Sequence, residues 1–403
     1  MKYVIVVGGQ LRNKGAQAMT YTVVDEIKKK YPDKEVVLFA SVYRRRDELE
    51  KRDLNFRVLS WPIRAKMRII GPPSSFNVGF VEYSKYLIKG TGISNNQLKE
   101  IKEILNNAFM MIDVSGYALS SQRGYMASIN YLFNIMIAKK YQIPMILFPQ
   151  SFGPFNYGKK AEKLIMPLIK KYLAYPKKIY AREYDGLEYL APFNLSTVEK
   201  SFDSVLQSDK DFTISNIYNS KKNIDLNIDI KSNSVAIIPN VKIMNHGDEL
   251  AQYNIYKTLI HRLLVQNKHV YLIRHSYEDL EICRKIKNEF QNDSNVILLE
   301  DDLNCIQIDQ LLAQFNFLIA SRYHSIIHAY KNGVPTLVFG WAVKYQELLN
   351  FFCQEKYLFD VRDQQNEVEV LERLDEMLSN YKNESQVIKN KLKELPNKDL
   401  VEL

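Results

Sequence analysis

The sequence predicts an α/β protein with two doubly wound, Rossmann-like domains that face each other across a cleft. Short apolar runs alternate with longer helical patterns from one end of the chain to the other. Most of these runs are continuous rather than alternating, which is typical of parallel strands buried on both faces. The length of 403 residues exceeds what one ordinary core accommodates, so two domains are expected.

The predicted strands divide evenly between the two halves of the chain. They are residues 3–8, 35–40, 109–115, 144–149 and 177–181 in the first half, and 234–238, 269–274, 295–299, 316–320 and 335–339 in the second. The helical patterns between them suit right-handed crossovers between parallel strands. Two such domains facing across a cleft describe the GT-B architecture.

Changes in composition suggest the domain boundaries. We assign residues 1–206 to the first domain and residues 234–365 to the second. Residues 207–233 are interpreted as a linker, because they are rich in Asp, Asn, Ser and Lys and poor in aliphatic clusters. Residues 366–403 have a helical pattern and are interpreted as a tail that could cross back to the first domain. Residues 62–95 break the alternation of strand and helix patterns. We interpret them as an excursion from the first domain and expect them to determine acceptor specificity.

The composition is that of a soluble globular protein, with 46% hydrophobic and 25% charged residues. No apolar run is long enough to span a membrane. The strand pattern begins at Tyr3 and leaves no room for a signal peptide, so we expect a cytoplasmic location, with the inner face of the membrane as an alternative. Cys283, Cys305 and Cys353 lack metal or redox spacing and are interpreted as plain thiols.

The formal net charge of +9 is moderate for this length, and basic residues cluster at two places. One cluster is residues 44–46. The other lies within residues 62–70, where Arg64, Lys66 and Arg68 interleave with apolar residues. This second pattern suits either peripheral contact with an anionic membrane or a solvated helix face. Nucleic acid is not an expected partner, because no RNA-binding signature or aromatic–basic interleaving is present.

The segment that carries the most chemical information is residues 321–329, which follows a predicted strand and opens a helical pattern. Arg322 and His324 are two positions apart, so on an extended segment both side chains would face one ligand. An arginine fork suits carboxylate or phosphate, and a histidine can donate a proton near neutral pH. Because ligands bind at the carboxyl ends of parallel strands, we predict an anionic substrate here, with His324 and Arg322 as the catalytic residues.

Further donor-binding candidates lie at other strand ends of the second half. The donor-binding set is Ser321, Arg322, Lys344, Asn240 and His275. His275 competes with His324 as the titrating group. His324 and His328 have the i, i+4 spacing of zinc ligands, but no third ligand is evident, so no metal site is predicted.

Polar residues at strand ends of the first half would line the opposite side of the cleft. The acceptor-binding candidates are Asn13, Gly15, Gln17, Ser115, Gln150 and Arg182. Small residues in the turn after the first strand let a ligand approach the backbone. The spacing there is not G-x-G-x-x-G, so a dinucleotide is poorly supported.

At these residues the chain resembles the polysaccharide pyruvyl transferase family over most of its length. The resemblance rests above all on Ser321-Arg322-Tyr323-His324 with Gly333-Val334-Pro335 and Lys344. Supporting motifs are the Asn13-x-Gly15 turn, Asp113-Val114-Ser115-Gly116, the segment from Pro149 to Pro154, and Ala181-Arg182-Glu183.

The resemblance implies a GT-B-like fold and phosphoenolpyruvate as the donor substrate, with no cofactor and no metal. It implies transfer of pyruvate as a ketal to a sugar of a surface polysaccharide or of its lipid-linked precursor. In such enzymes the R-x-H motif serves the donor, which corresponds to Arg322 and His324 here. The second domain would then be the donor side, and the first domain the acceptor side.

Two other functions remain open at this stage, because one fold hosts many chemistries. The first is a nucleotide-sugar glycosyltransferase or epimerase, in which Glu347 would grip a ribose. The second is a non-catalytic glycan-binding protein of a polysaccharide assembly complex. The donor discriminates between them, since phosphoenolpyruvate should stabilise a pyruvyl transferase and nucleoside diphosphates should not.

Overall fold

The computed structural model describes residues 1–40, 51–71, 90–208, 211–220, 224–245, 247–363, 366–396 and 398–403. The basic cluster at 44–46 and most of the excursion at 62–95 lie outside these ranges.

The first domain is a seven-stranded sheet with helices on both faces. Its strands are β1 (Tyr3–Val7), β2 (Glu35–Ala40), β3 (Arg57–Ser60), β4 (Ala108–Asp113), β5 (Met145–Gln150), β6 (Lys178–Ala181) and β7 (Val198–Lys200). Its helices are α1 (Lys14–Lys30), α2 (Ile63–Ile70), α3 (Asn95–Asn106), α4 (Tyr125–Lys140), α5 (Lys159–Leu173), α6 (Tyr184–Leu190), α7 (Ser204–Gln207) and α8 (Ile214–Ile217).

The second domain is a six-stranded sheet followed by a long helix. Its strands are β8 (Ser234–Ile238), β9 (His269–Ile273), β10 (Val296–Leu299), β11 (Phe317–Ala320), β12 (Thr336–Gly340) and β13 (Leu358–Asp360). Its helices are α9 (Glu249–Val265), α10 (Leu280–Glu289), α11 (Cys305–Leu312), α12 (Tyr323–Lys331), α13 (Val343–Phe351) and α14 (Glu367–Leu392).

Both sheets have the strand order of a Rossmann fold. The first runs β3-β2-β1-β4-β5-β6-β7 and the second β10-β9-β8-β11-β12-β13, with every neighbouring pair parallel. The strand order therefore reverses between β1 and β4 and again between β8 and β11, which are the places where such sheets bind ligands. The predicted fold class is confirmed.

Three strands were not predicted, namely β3, β7 and β13. Each has only three or four residues and lies at the edge of its sheet. Central strands such as β1 and β8 are buried at every position, and this produces the continuous apolar runs on which the prediction rested. Edge strands are covered less completely, so they lack that signal.

The segment at residues 62–70 forms helix α2, and the membrane interpretation of its sequence pattern is wrong for Lys66. That side chain is 0% exposed and donates to the Asn130 carbonyl at 3.3 Å. Ile69 is buried in the core of the first domain, and Ile63 and Met67 pack against that core. Only Arg68 of the three basic residues is exposed. The apolar side of this helix therefore faces protein.

The end of the chain contacts the first domain after α14 has left the second. The Tyr31 hydroxyl donates to the Val401 carbonyl at 3.3 Å, and the Gln207 amide donates to the Pro396 carbonyl at 3.2 Å. Leu400 and Val401 are buried in a core cluster that includes residues of both sheets. Among the described helices none is long and apolar enough to cross a membrane.

Candidate active site

A cavity of about 280 Å³ lies between the two domains, at the carboxyl edge of both sheets. The first domain contributes residues that follow β6, the end of β7 and residues after it, and the second contributes the start of α12 and the length of α13. The polar and aromatic lining residues are Arg182, Glu183, Tyr184, Lys200, Phe202, Asp203, Tyr323, Lys344, Glu347, Asn350 and Phe351. Each domain therefore supplies cations to a single space.

His324 lies in the first turn of α12 and turns toward the first domain. Its ring packs on the backbone of Gly15, where an added Cβ would overlap the imidazole and come within 2.8 Å of His324 Cβ. Tyr323 is already helical, so the expectation of an extended segment from Arg322 to His324 is wrong. As a result, Arg322 and His324 contact different partners.

Asp203 of the first domain is the charged partner of His324. Its Oδ2 lies 3.5 Å from His324 Nε2, and the carboxylate is 1% exposed. Burial lowers the pKa of His324, and the negative charge of Asp203 opposes that shift without overcoming it. Burial alone would raise the pKa of Asp203, but His324 and Arg182 outweigh it and hold the pKa below its ordinary value. Asp203 is therefore ionised, and burial favours the neutral form of the imidazole next to it.

Arg182 is held rigidly beside this pair. Its guanidinium donates to Glu183 at 2.7 Å, to Asp203 at 2.8 Å and to the Ser151 hydroxyl at 2.7 Å. It also lies 4.8 Å from the centroid of the Tyr323 ring, which belongs to the other domain. Such a bound guanidinium is a fixed positive charge at the wall of the cavity.

Lys344 is the cation with the fewest fixed partners in the cavity. Its ammonium lies 4.9 Å from the Tyr323 ring centroid and 5.6 Å from that of Tyr345. No carboxylate of the described residues forms an ion pair with it. Burial, with a contribution from Arg182, lowers the pKa of Lys344 to about 8. An anion in the cavity would favour the charged form of this lysine.

Lys200, which was not predicted, and Glu347, which was considered only as a ribose ligand, tie the domains together at the cavity. The Glu347 carboxylate accepts from the Tyr184 backbone N–H at 2.5 Å and lies 3.7 Å from the Lys200 ammonium. Lys200 also donates to the Arg182 carbonyl at 2.7 Å. Burial lowers the pKa of Lys200, while Glu347 opposes the shift. Glu347 is thus engaged by protein groups of the first domain.

Arg322 forms a two-point ion pair inside the second domain and does not line the cavity. Its Nε donates to Asp279 Oδ2 at 2.8 Å, and its Nη2 contacts Asp279 Oδ1 at 2.5 Å and Glu278 Oε1 at 2.7 Å. Both Arg322 and Asp279 are buried. In this conformation the arginine fork is occupied by carboxylates, and it shapes the turn at 276–279.

Ser321 and Asn240 connect strand ends of the second domain. The Ser321 hydroxyl lies 2.9 Å from that of Tyr256, and the Ser321 carbonyl accepts from the Asn240 amide at 3.2 Å and from the Tyr345 hydroxyl at 3.0 Å. These bonds position the start of α12.

The other two histidines of this region lie side by side behind the site. The rings of His275 and His328 are 6.4 Å apart, and both residues are buried. His328 Nδ1 lies 2.7 Å from Asp309, and burial together with His328 holds the pKa of His275 well below its ordinary value. His275 is therefore a neutral, enclosed imidazole.

The acceptor candidates are distributed along the first sheet. Asn13 caps α1 by accepting from the Ala16 N–H at 3.1 Å, and Gln17 accepts from the Cys305 N–H of the second domain at 2.8 Å. Ser115 lies beside Gly8 at the reversal of strand order, and Gln150 is fully buried at the end of β5. Of the six candidates, Arg182 lines the cavity and Gly15 contacts His324.

Solved structures of low sequence identity share the fold over the full length of the chain. Staphylococcus aureus MnaA with UDP has a TM-score of 0.58 at 11% identity, with 99% of this chain and 94% of that chain covered. A UDP-GlcNAc 2-epimerase from Methanocaldococcus jannaschii has a TM-score of 0.58 at 11% identity, with 97% and 99% covered. The Neisseria meningitidis UDP-GlcNAc 2-epimerase bound to UDP-GlcNAc has a TM-score of 0.54 at 13% identity, with 98% and 95% covered. The GT-B-like arrangement is therefore confirmed.

Sequence comparison identifies the family. No curated protein sequence matches the chain significantly. The sequence model of the polysaccharide pyruvyl transferases, in contrast, matches residues 13–342. That range extends from the cap of α1 through both domains to the residue that precedes α13. The chain belongs to the polysaccharide pyruvyl transferase family.

Proposed function

We propose that this protein transfers the pyruvyl group of phosphoenolpyruvate to two hydroxyls of a sugar, forming a ketal. The observation that carries the proposal is the interdomain cavity, in which Lys344 has no carboxylate partner among the described residues and lies beside the fixed cation Arg182. Phosphoenolpyruvate carries a carboxylate and a phosphate on three carbons. A small, cation-lined space suits such a compact anion better than a nucleotide sugar.

In the proposed reaction His324 delivers a proton to the methylene carbon of phosphoenolpyruvate. The neighbouring carbon becomes an oxocarbenium-like centre, which one sugar hydroxyl attacks. The phosphate then leaves, and a second hydroxyl closes the ketal ring. Of the two protons that the hydroxyls lose, one restores the acid and the other leaves with the phosphate, so the reaction balances.

The surroundings of His324 support its assignment as the acid, because binding of an anion and protonation of the imidazole favour each other. In the free protein burial keeps the imidazole neutral near pH 7. A bound anion would raise the pKa of His324, as would the ionised Asp203 that already faces it. The acid would then be charged when the donor is present. Lys344 and Arg182 would stabilise the charge on the departing phosphate.

Arg322 keeps its predicted role only through a change of partner. Its fork would have to leave Glu278 or Asp279 to bind the donor directly. The simpler arrangement is that Arg322 holds the turn at 276–279 and so positions the start of α12. The donor-binding set that we propose therefore centres on Lys344 and Arg182, which line the cavity, with His324 behind the lining residue Asp203.

A phosphate-release assay with phosphoenolpyruvate tests the proposal, using acceptors that end in galactose, mannose or glucose. We expect release with at least one acceptor and loss of release in His324→Gln. Phosphoenolpyruvate should also raise the melting temperature, because it binds only the folded state. Stabilisation by UDP and not by phosphoenolpyruvate would favour a nucleotide-sugar enzyme instead. If phosphoenolpyruvate raises the melting temperature but phosphate is not released with any acceptor, a non-catalytic glycan-binding protein would be favoured.

A further inference from the structure

The positive charge of this protein is concentrated in one part of the first domain. Residues 114–181 contain ten lysines and arginines and a single acidic residue, Glu162, so this stretch has a formal charge of +9. The whole chain has the same net charge. The rest of the chain is therefore balanced, and this stretch has a charge equal to the entire excess.

Helix α5 presents much of this charge to solvent. Its exposed lysines are Lys159, Lys160, Lys163, Lys170 and Lys171. At about 100° per residue these five positions fall within an arc of roughly 120°. Ile165, Ile169 and Leu173 are buried on the opposite side, and Glu162, in the first turn, has the angular position of that side and not of the lysines. The outward stripe is about 22 Å long, from 15 residues at 1.5 Å each.

No described carboxylate neutralises the stripe. None of its five lysines forms an ion pair with any described residue. Helix α4, which packs on α5, and helix α2, which packs on α4, contain no acidic residue and add the exposed Lys139 and Arg68. A surface this free of acidic groups attracts a polyanion over a distance set by the ionic strength.

Apolar groups lie within the same stripe. Leu164 is 41% exposed, and it lies next to Lys171 at the edge of the stripe. Met126, in the first turn of α4, is 43% exposed. An anionic bilayer attracts lysines to its phosphates and accepts a leucine at the acyl boundary, and so it matches both features. Nucleic acid would engage only the charges, and the stripe offers no aromatic ring for a base to stack on.

We propose that the outward stripe of α5 is a docking surface for an anionic phospholipid membrane. Because α5 follows β5, the helix starts at the carboxyl edge of the first sheet, the edge at which the cavity opens. Docking through the stripe would lay the outer face of α5 on the bilayer and bring the start of this helix, which lies at that edge, to the membrane surface. A lipid-linked acceptor could then reach the cavity from the membrane surface. The docking itself is defined by charge and exposure, so its test does not depend on the reaction.

Flotation with phosphatidylcholine vesicles, with and without phosphatidylglycerol, tests the surface on the full chain. We expect the parent protein to float only with the anionic vesicles, and less so as salt is added. Lys160→Gln/Lys163→Gln/Lys171→Gln should weaken vesicle binding by about 100-fold, at about fivefold for each charge. The matched control, Lys231→Gln/Lys382→Gln/Lys393→Gln, removes three exposed lysines outside the first domain and should float like the parent.

A fourth variant separates a membrane from other polyanions. Leu164→Ser should weaken flotation while leaving binding to heparin unchanged. The proposal is overturned if the parent does not float, or if the control variant loses as much binding as the α5 variant. Tighter binding to duplex DNA than to anionic vesicles at the same salt would identify a nucleic acid as the occupant and would also overturn it.

Discussion

The imidazole of His324 occupies the space that a side chain at Gly15 would need. The two residues belong to different domains, and the contact brings the turn after β1 against the first turn of α12. Gly15 has no left-handed backbone angle, so sterics alone make glycine necessary here. The position of the catalytic candidate is therefore set in part by the domain that does not contain it.

Gly15→Ala should displace His324 and abolish most of the phosphate release. Alanine would raise helix propensity in α1 by about 1 kcal/mol, so any loss cannot come from the local helix. The control is Gly186→Ala, also in a helix, whose added Cβ would meet nothing closer than 3.5 Å. That variant should keep both activity and stability. Normal turnover in Gly15→Ala would show that His324 does not need its present position.

Asp203→Asn should shift the pH dependence of turnover. Asp203 supports the protonated form of His324 against burial, so its neutralisation lowers the pKa of the imidazole further. If protonated His324 is the acid, activity declines as pH rises through that pKa, and the decline should move to lower pH in the variant. Asp309→Asn, which alters the partner of His328 on the same helix, should leave the profile in place. An unmoved profile in Asp203→Asn would assign the acid to another group.

Donor affinity should fall as the pH rises above about 8, which is the pKa of Lys344. A bound anion raises the pKa of Lys344. Below about pH 8 the side chain is already charged, whereas above about pH 8 it must take up a proton when the donor binds. The dissociation constant for phosphoenolpyruvate should then rise by up to about tenfold per pH unit. Lys344→Arg keeps its charge and should bind with little dependence on pH. Calorimetric titrations across this pH range measure the dissociation constant. A dissociation constant that does not change with pH in the parent protein would show that Lys344 does not bind the donor.

Arg322→Ala should destabilise the second domain by about 3–5 kcal/mol, because it leaves a buried carboxylate without its partner. The melting temperature measures this loss. Replacing Asp279 as well should recover part of the stability, since the two side chains form one two-point pair. Additive effects of the two substitutions would contradict the structural role. A normal melting temperature with weakened phosphoenolpyruvate binding would restore the donor role predicted from the sequence.

Lys66→Met should stabilise the first domain, most of all at neutral and acidic pH. Burial lowers the pKa of Lys66 to about 7 in the folded protein, against about 10.4 for an unfolded lysine. Between these values the unfolded chain binds more protons, so the stability of the parent rises with pH. The methionine variant lacks this dependence, and its advantage should vanish above about pH 10. Parallel melting curves of parent and variant at all pH values would refute the burial of a titrating lysine.

The sequence was sufficient for the fold because central parallel strands leave continuous apolar runs. The site was harder to predict, since its members come from separate places in the chain. Arg182, His324 and Lys344 follow strands that the pattern reveals, and all three were among the predicted site residues, although Arg182 was predicted to bind the acceptor. Asp203 was missed because it follows β7, a three-residue edge strand with no such pattern.

The direction in which each side chain points was the second feature that the sequence did not reveal. Arg322 and His324 are only two positions apart in the sequence, but helix α12 begins between them, at Tyr323. Their side chains therefore contact different partners. Lys66 illustrates the same difficulty, although a helical reading of residues 63, 66, 67 and 70 would have placed the lysine on the apolar face. A short segment can have the two-residue repeat of a strand or the repeat of about 3.6 residues of a helix, and this repeat decides which of its side chains meet. The correct repeat is known only when the helix boundary is known.

The return of residues 396–401 to the first domain has a consequence for synthesis. Leu400 and Val401 complete a core that starts at β1, so that domain gains its last buried side chains only after the second domain has left the ribosome. Domains generally fold in order as the chain emerges. A chain that ends within α14 would lack both side chains and would leave exposed the apolar surface that they cover.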